Sequence, residues 1–172
     1  MEDKAKLVLV LDGHDGTGKT TLAKRLASEL EATYLQPFHG SGGVQLIELV
    51  EQDQLVFAGR LAQRLVKGAL AGAKTSTVIC DRHWMTLYTL LPAHYWPEWE
   101  PLPPTVLCQA ELATIRQRLA GRDEKQFGAS YHRYYLEYYQ KLARQYECPV
   151  LHTDQHSVKE CLNWLLDWAK NQ

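Results

Sequence analysis

The chain predicts an α/β fold built on a five-stranded parallel sheet, and three observations carry that expectation. Short apolar runs alternate with longer segments of helical period, the pattern of successive βαβ units. The runs are continuously apolar, as strands covered by helices on both faces must be. A glycine-rich turn, Gly13-His14-Asp15-Gly16-Thr17-Gly18-Lys19-Thr20, stands between the first run and the first helical segment.

Leu7 to Leu11 is the first strand, and Lys19 to Leu30 is the helix behind the turn. Thr33 to Leu35 is a weaker, short second strand. Gln54 to Ala71 is a long helix, followed by strands at Thr77 to Cys80 and Thr105 to Cys108. Helices over Glu111 to Ala120 and Ser130 to Tyr146, a strand over Pro149 to Thr153 and a helix over Val158 to Ala169 complete the set. In the helix from Ser130, Tyr131, Tyr135, Tyr138, Leu142 and Tyr146 recur every three to four residues. That stripe predicts a core-facing side; a stacking platform for a nucleobase is the alternative. Ala93 to Pro104 has four prolines and cannot be a regular helix. It reads as a packed aromatic loop, with a substrate lid or a partner patch as the other possibilities.

At 172 residues and 45% hydrophobic, the chain makes one domain, 1–172, with its own core. Its 19 basic and 20 acidic residues leave a net charge of −1. That balance argues against general nucleic-acid or membrane binding, which draws on a surplus of positive charge. The four cysteines show no CxxC spacing, and Cys80 and Cys108 end apolar runs, so buried free thiols are expected. With no signal peptide and no apolar run near 20 residues in length, the expectation is a soluble cytoplasmic protein in a reducing compartment.

The turn fits GxxxxGK[ST], which binds the phosphates of a nucleotide. Its glycines let successive backbone N–H groups converge on an anion, and the helix N-terminus adds a favourable dipole. Gly13, Asp15, Gly16, Thr17, Gly18, Lys19, Thr20 and Thr21 are therefore the expected ATP-binding residues. Lys19 would reach the terminal phosphates, and the Thr20 hydroxyl would hold Mg²⁺. Phosphoryl transfer asks a protein mainly for positioning and positive charge. Asp81 and Arg82 end the strand at Thr77 to Cys80, on the sheet edge where ligands bind in open α/β folds. Asp81 would organise the metal and Arg82 an acceptor phosphate. Arg116, Arg118, Arg122 and Lys125 crowd together ahead of Gly128 and read as an arginine-bearing lid over roughly 118–130, or else as a solvated helix end. The seven histidines form no metal constellation, although His14 lies within the turn itself. No GxSxG nucleophile turn and no guanine-reading NKxD motif is present.

These residues together resemble the thymidylate kinases, nucleoside monophosphate kinases with a P-loop kinase fold. LDGHDGTGKTTLAKRL is similar to the family's phosphate loop, and the resemblance implies that Asp15 contacts the acceptor sugar. LVFAGRLAQ resembles the helix segment whose arginine, here Arg60, contacts the acceptor. VICDRHWMT resembles the family's DR motif and implies site positions for Asp81, Arg82 and His83, while ELATIRQRLAGR resembles the arm into the lid with Arg118 and Arg122. Where the family usually shows REPGG, this chain has Leu35-Gln36-Pro37-Phe38, with Phe38 available to line a base pocket.

The resemblance thus implies a three-layer α/β/α P-loop kinase with an Arg-bearing lid, using ATP and Mg²⁺ to phosphorylate dTMP or a related or modified pyrimidine deoxynucleotide. Lys19, Arg82, Arg118 and Arg122 would be catalytic; Asp15, Phe38, Arg60, Asp81, Arg82 and His83 would bind the acceptor; Thr20 and Asp81 would hold the metal. A homodimer is implied too, for which the helix Gln54 to Ala71 could supply the interface. Two alternatives stand beside this reading. A deoxynucleoside kinase would need a base such as Glu48 or Glu51, and a nucleotide-binding module or NTPase would show no transfer to an acceptor.

Overall fold

Residues 6–172 are described by the computed structural model. Five parallel strands form one sheet in the order β2-β3-β1-β4-β5: β1 (Leu7–Asp12), β2 (Thr33–Leu35), β3 (Thr77–Asp81), β4 (Thr105–Gln109) and β5 (Val150–His152). β1 is central, pairing Leu9 with Ile79 of β3 on one side and Leu11 with Val106 of β4 on the other. Each expected strand is present: β2 has the expected bounds, and the others differ by one residue at one or both ends. The helices are α1 (Lys19–Glu29), α2 (Ser41–Glu51), α3 (Leu55–Ala71), α4 (Trp84–Leu90), α5 (Leu112–Ala120), α6 (Ala129–Gln145) and α7 (Val158–Ala169), with a 3₁₀ turn at Ala93–Tyr95.

The strand side chains alternate between two helical layers, as the two-residue period of a strand demands. Leu9, Leu11 and Ile79 pack with Leu22 and Leu26 of α1 and Leu165 of α7. Val10, Val78 and Cys80 face the opposite layer, against Leu70 of α3. Further along that layer, Trp84 and Tyr88 of α4 meet Tyr139 and Leu142 of α6, and α2, α3 and α4 share Leu46, Leu61 and Leu87. The result is the expected three-layer α/β/α sandwich with an all-parallel five-stranded sheet.

Two helices have no counterpart in the sequence reading. α2 contains Gly42 and Gly43, which lower helix propensity. α4 is seven residues long and buried on all sides from Trp84 to Thr89, so it has no polar face from which a period could be read. The proline-rich segment packs as a loop: Trp96 stacks on Tyr88 at 4.0 Å between centroids, and Trp99 lies against His83. Cys80, Cys108 and Cys161 are buried free thiols, and Cys148 is half-buried. No helix among the described residues is long and apolar enough to cross a membrane.

Candidate active site

β1 ends at the middle of the sheet, so the turn after it opens onto the carboxyl edge between two neighbouring strands. Asp12, the last residue of β1, is fully buried and binds that junction together. Its carboxylate accepts from the backbone N–H of Gly13, His83 and Thr86 and, at 2.6 Å, from the Thr86 hydroxyl. Gly13 has φ 143°, and a Cβ there would lie 2.3 Å from the Cys108 carbonyl oxygen, so only glycine lets the loop leave β1 this close to β4.

Within the loop, the His14 carbonyl is the internal anchor. It accepts from Thr17 Oγ1 at 2.9 Å and from Lys19 Nζ at 3.0 Å. Lys19 is buried, and burial with the nearby Arg82 charge pulls its pKa from 10.5 to about 8. Thr20 Oγ1 donates to Asp81 Oδ2 at 2.6 Å, and the same carboxylate oxygen accepts from Tyr34 and Gln36 at 3.0 Å each. The other oxygen, Asp81 Oδ1, is buried without a partner. A hard divalent cation takes oxygen ligands, so a hydroxyl beside an orphaned carboxylate oxygen fits Mg²⁺. Among the described residues no group of three or more His, Cys, Asp or Glu side chains gathers as a metal cluster.

Arg82 crosses over the loop from the end of β3, in a left-handed conformation (φ 76°) that few side-chain-bearing residues adopt. Its guanidinium pairs with Asp15 and donates to the Gly13 carbonyl at 3.0 Å, to the Thr86 hydroxyl at 3.1 Å and to the Tyr139 hydroxyl at 3.3 Å. Burial by itself would raise the Asp15 pKa, but the Arg82 and Lys19 charges outweigh it and hold the carboxyl below its ordinary value. Asp15 and Arg82 border a pocket of about 220 Å³ walled by Phe38, Leu46, Tyr131 and Tyr135. The tyrosine stripe of α6 is therefore divided. Tyr138, Leu142 and Tyr146 pack in the core cluster with Trp84, whereas Tyr131 and Tyr135 line the pocket, where Tyr139 joins them.

On the far side of the loop a groove of about 370 Å³ is lined by Gly16, Gly18, Thr21, Arg118, Arg122 and Thr153, among others. Arg118 donates to the Gly16 carbonyl at 3.0 Å and to Thr153 Oγ1 at 3.3 Å, and Thr153 Oγ1 donates to the Thr17 carbonyl at 2.6 Å. Arg122 is half-exposed and 3.6 Å from Glu124.

Two expected site residues lie elsewhere. Arg60 is exposed and lines an open groove of about 620 Å³ between α2 and α3, beside Arg64 and Lys67. Helical phase is the reason: Ala58, Leu61, Ala62 and Val66 take the inward face of α3 and turn Arg60 outward. His83 contributes its backbone N–H to Asp12, but its ring is buried against Trp99, outside the pocket. Conversely Asp12, Thr86, Tyr139, His132 and Thr153 belong to the site and were not among the expected residues. Only Asp12 had a local signal, as the residue preceding the loop at a strand end.

No protein-family model matches the chain, and no curated protein matches it in sequence. Solved structures match it in shape. The deoxyadenosine kinase of M. mycoides with bound dATP has a TM-score of 0.66 at 13% identity, over 95% of this chain and 99% of that one. Shikimate kinase from Acinetobacter baumannii in complex with shikimate has a TM-score of 0.67 at 16% identity, covering 98% and 95%. The YorR protein from Bacillus subtilis, in complex with phosphorylated GDP, has a TM-score of 0.62 at 19% identity, covering 95% of each chain. The fold is that of the P-loop kinases. Likeness at these identities extends to the fold alone.

Proposed function

We propose that the chain is an ATP- and Mg²⁺-dependent kinase that phosphorylates a deoxynucleoside monophosphate, dTMP or a related or modified pyrimidine, to its diphosphate. The observation that carries this reading is the pocket beside the loop, which holds the Arg82 guanidinium and no free carboxylate. A phosphate acceptor arrives ionised and needs a cation, whereas a hydroxyl acceptor must lose a proton to a base. Asp15 is tied to Arg82 and is a weakened base. Gln36 stands at the end of β2, where an amide cannot take a proton, and Glu48 and Glu51 are exposed on α2 outside the pocket.

In this reading the loop amides and Lys19 hold the donor phosphates, with Thr20 and Asp81 as the protein's ligands to the metal. Bound Mg²⁺ would supply neutralisation of phosphate charge. Thr21, Arg118 and Arg122 border the donor nucleotide, and Arg118 and Arg122 close the lid segment toward the transferred group. Arg82 grips the acceptor phosphate, Asp15 meets the sugar, and Phe38 with Tyr131 and Tyr135 encloses the base. Lys19→Ala removes the cation on the transfer path and should lower turnover by about two orders of magnitude or more. Wild-type turnover in that variant contradicts the assignment.

The deciding test is ADP release from Mg·ATP with dTMP, dUMP, 5-hydroxymethyl-dUMP, dCMP, dAMP, dGMP and the matching nucleosides. Strong stimulation by one monophosphate supports the proposal and names the acceptor. Stimulation by a nucleoside would instead favour a deoxynucleoside kinase, the reading that the likeness to deoxyadenosine kinase supports. A flat panel over slow hydrolysis would mean a nucleotide-binding module. For the implied homodimer we propose the outer face of α2 and α3, where Val44 and Phe57 are exposed. Light scattering should give a dimer that Phe57→Glu converts to monomer; a monomeric wild type overturns it.

A further inference from the structure

His14 occupies the second position of the phosphate loop, and nothing in the chemistry of phosphoryl transfer asks for an imidazole there. The ring is nevertheless buried and bound on several sides, all of them by one helix. His14 Nε2 shares a hydrogen bond of 2.8 Å with His132 Nδ1, a residue 118 positions away and itself buried. Tyr135, one turn beyond His132 on the same face of α6, stacks on His14 with rings 4° from parallel and 5.5 Å between centroids. Tyr131 approaches from the preceding position at 6.0 Å. Two buried imidazoles share one hydrogen bond only if one nitrogen donates and the other accepts, so the bond is lost if both rings become imidazolium. Burial pulls the His14 pKa down to about 4, so the His14 ring is neutral at neutral pH.

The backbone of the same residue carries the loop's interior. The His14 carbonyl is the acceptor for both Lys19 Nζ and Thr17 Oγ1. His132 lies in the first turn of α6, where its backbone N–H donates to the carbonyl of Gly128, the residue that caps the helix. We propose that His132 is a positioning residue, which ties the first turn of α6 to the phosphate loop through the His14 ring and so fixes the geometry in which Lys19 meets the donor phosphates. The inference rests on the kinase reading above for its effect on turnover, but its effect on nucleotide binding stands apart from any acceptor.

Binding of Mg·ADP, measured by calorimetry, and turnover with the best acceptor are compared in three variants. His132→Phe keeps a ring and loses the hydrogen bond; it should weaken Mg·ADP binding and lower kcat by about tenfold each. His132→Asn sets an amide where Nδ1 stands and should recover most of both. In a His14→Leu background, His132→Phe should cost less than about twofold more, because its partner is already gone. Unchanged binding in His132→Phe, an equal loss in His132→Asn, or a full additional loss in the His14→Leu background overturns the proposal. Should His132→Phe fail to fold, ¹⁵N-imidazole resonances of the wild type decide it. Both histidines should shift together on addition of Mg·ADP, and resonances that stay in place overturn the link. A wild type that transfers to no acceptor refutes the kinase reading, while the Mg·ADP affinities still test the His14–His132 link.

Discussion

Lys19 carries its charge in a place that water barely reaches, at 5% exposure. With its pKa pulled to about 8, it begins to lose that charge just above neutrality. The pH profile of kcat/KM reports groups of the free enzyme. That ratio for Mg·ATP should therefore fall above about pH 8, and a profile flat to pH 9.5 contradicts it. His83 and His14 set the acid side. Each is buried, and burial lowers each pKa from 6.5 to about 4. Such a group contributes its full stability above pH 6.5. On acidification the unfolded chain takes the proton first, and the contribution is lost as the pH falls through 6.5 toward 4. The slope approaches roughly 1.4 kcal/mol per pH unit for each histidine. Denaturant titrations between pH 7.5 and 4.5 should show that decline, and His83→Phe, which keeps an aromatic ring beside Trp99, should flatten it. An equal slope in the variant would show that the buried Nδ1 of His83, which has no partner, is not a source of the loss.

Among the elements, α2 has the narrowest tolerance. A Cβ on Gly43 would stand 1.9 Å from the Phe38 carbonyl oxygen, so any side chain drives the helix away from the segment that carries Phe38. Overpacking of this kind costs about 1–3 kcal/mol. Gly43→Ala should lower Tm by roughly 2–4 °C per kcal/mol and raise the acceptor KM, since Gly43 and Phe38 border the same pocket. An unchanged KM would separate α2 from acceptor binding. The same pair of elements marks how far the sequence could be read. β1, the loop and α1 were legible because contiguous residues determine them: an apolar run, glycines at the turn and a helical period. Asp81 and Arg82 were legible because a strand end places them. Arg60 was not, because the face it occupies depends on which stripe of α3 meets α2 and α4. Nor were His132 and Thr153, which reach the loop across 118 and 136 positions, or Tyr139, which reaches Arg82 across 57, all through the packing of the layers. The division of the tyrosine row follows the same logic. One helical stripe spans both core and pocket, and its period is identical over the two.

Across the whole molecule, charge and shape are arranged about β1. Its central place in the sheet puts the loop between β3, which brings Asp81 and Arg82, and β4 with β5, which bring Thr153 and the groove near Arg118. Arg60 lies outside both hollows, so Arg60→Ala should leave the acceptor KM within about twofold of wild type. A tenfold rise would return it to the site. The pocket beside Asp15 and Arg82 and the groove beside Arg118 share no lining residue. Under the proposed function, neither substrate would have to pass through the other's berth to reach its own, and no side chain between them would need to carry the phosphoryl group in transit. Initial rates should then give intersecting double-reciprocal lines, with no phosphorylated enzyme trapped in the absence of acceptor, and dead-end analogues of either substrate should bind the free enzyme. The order in which the two arrive would be a matter of their concentrations rather than of the protein.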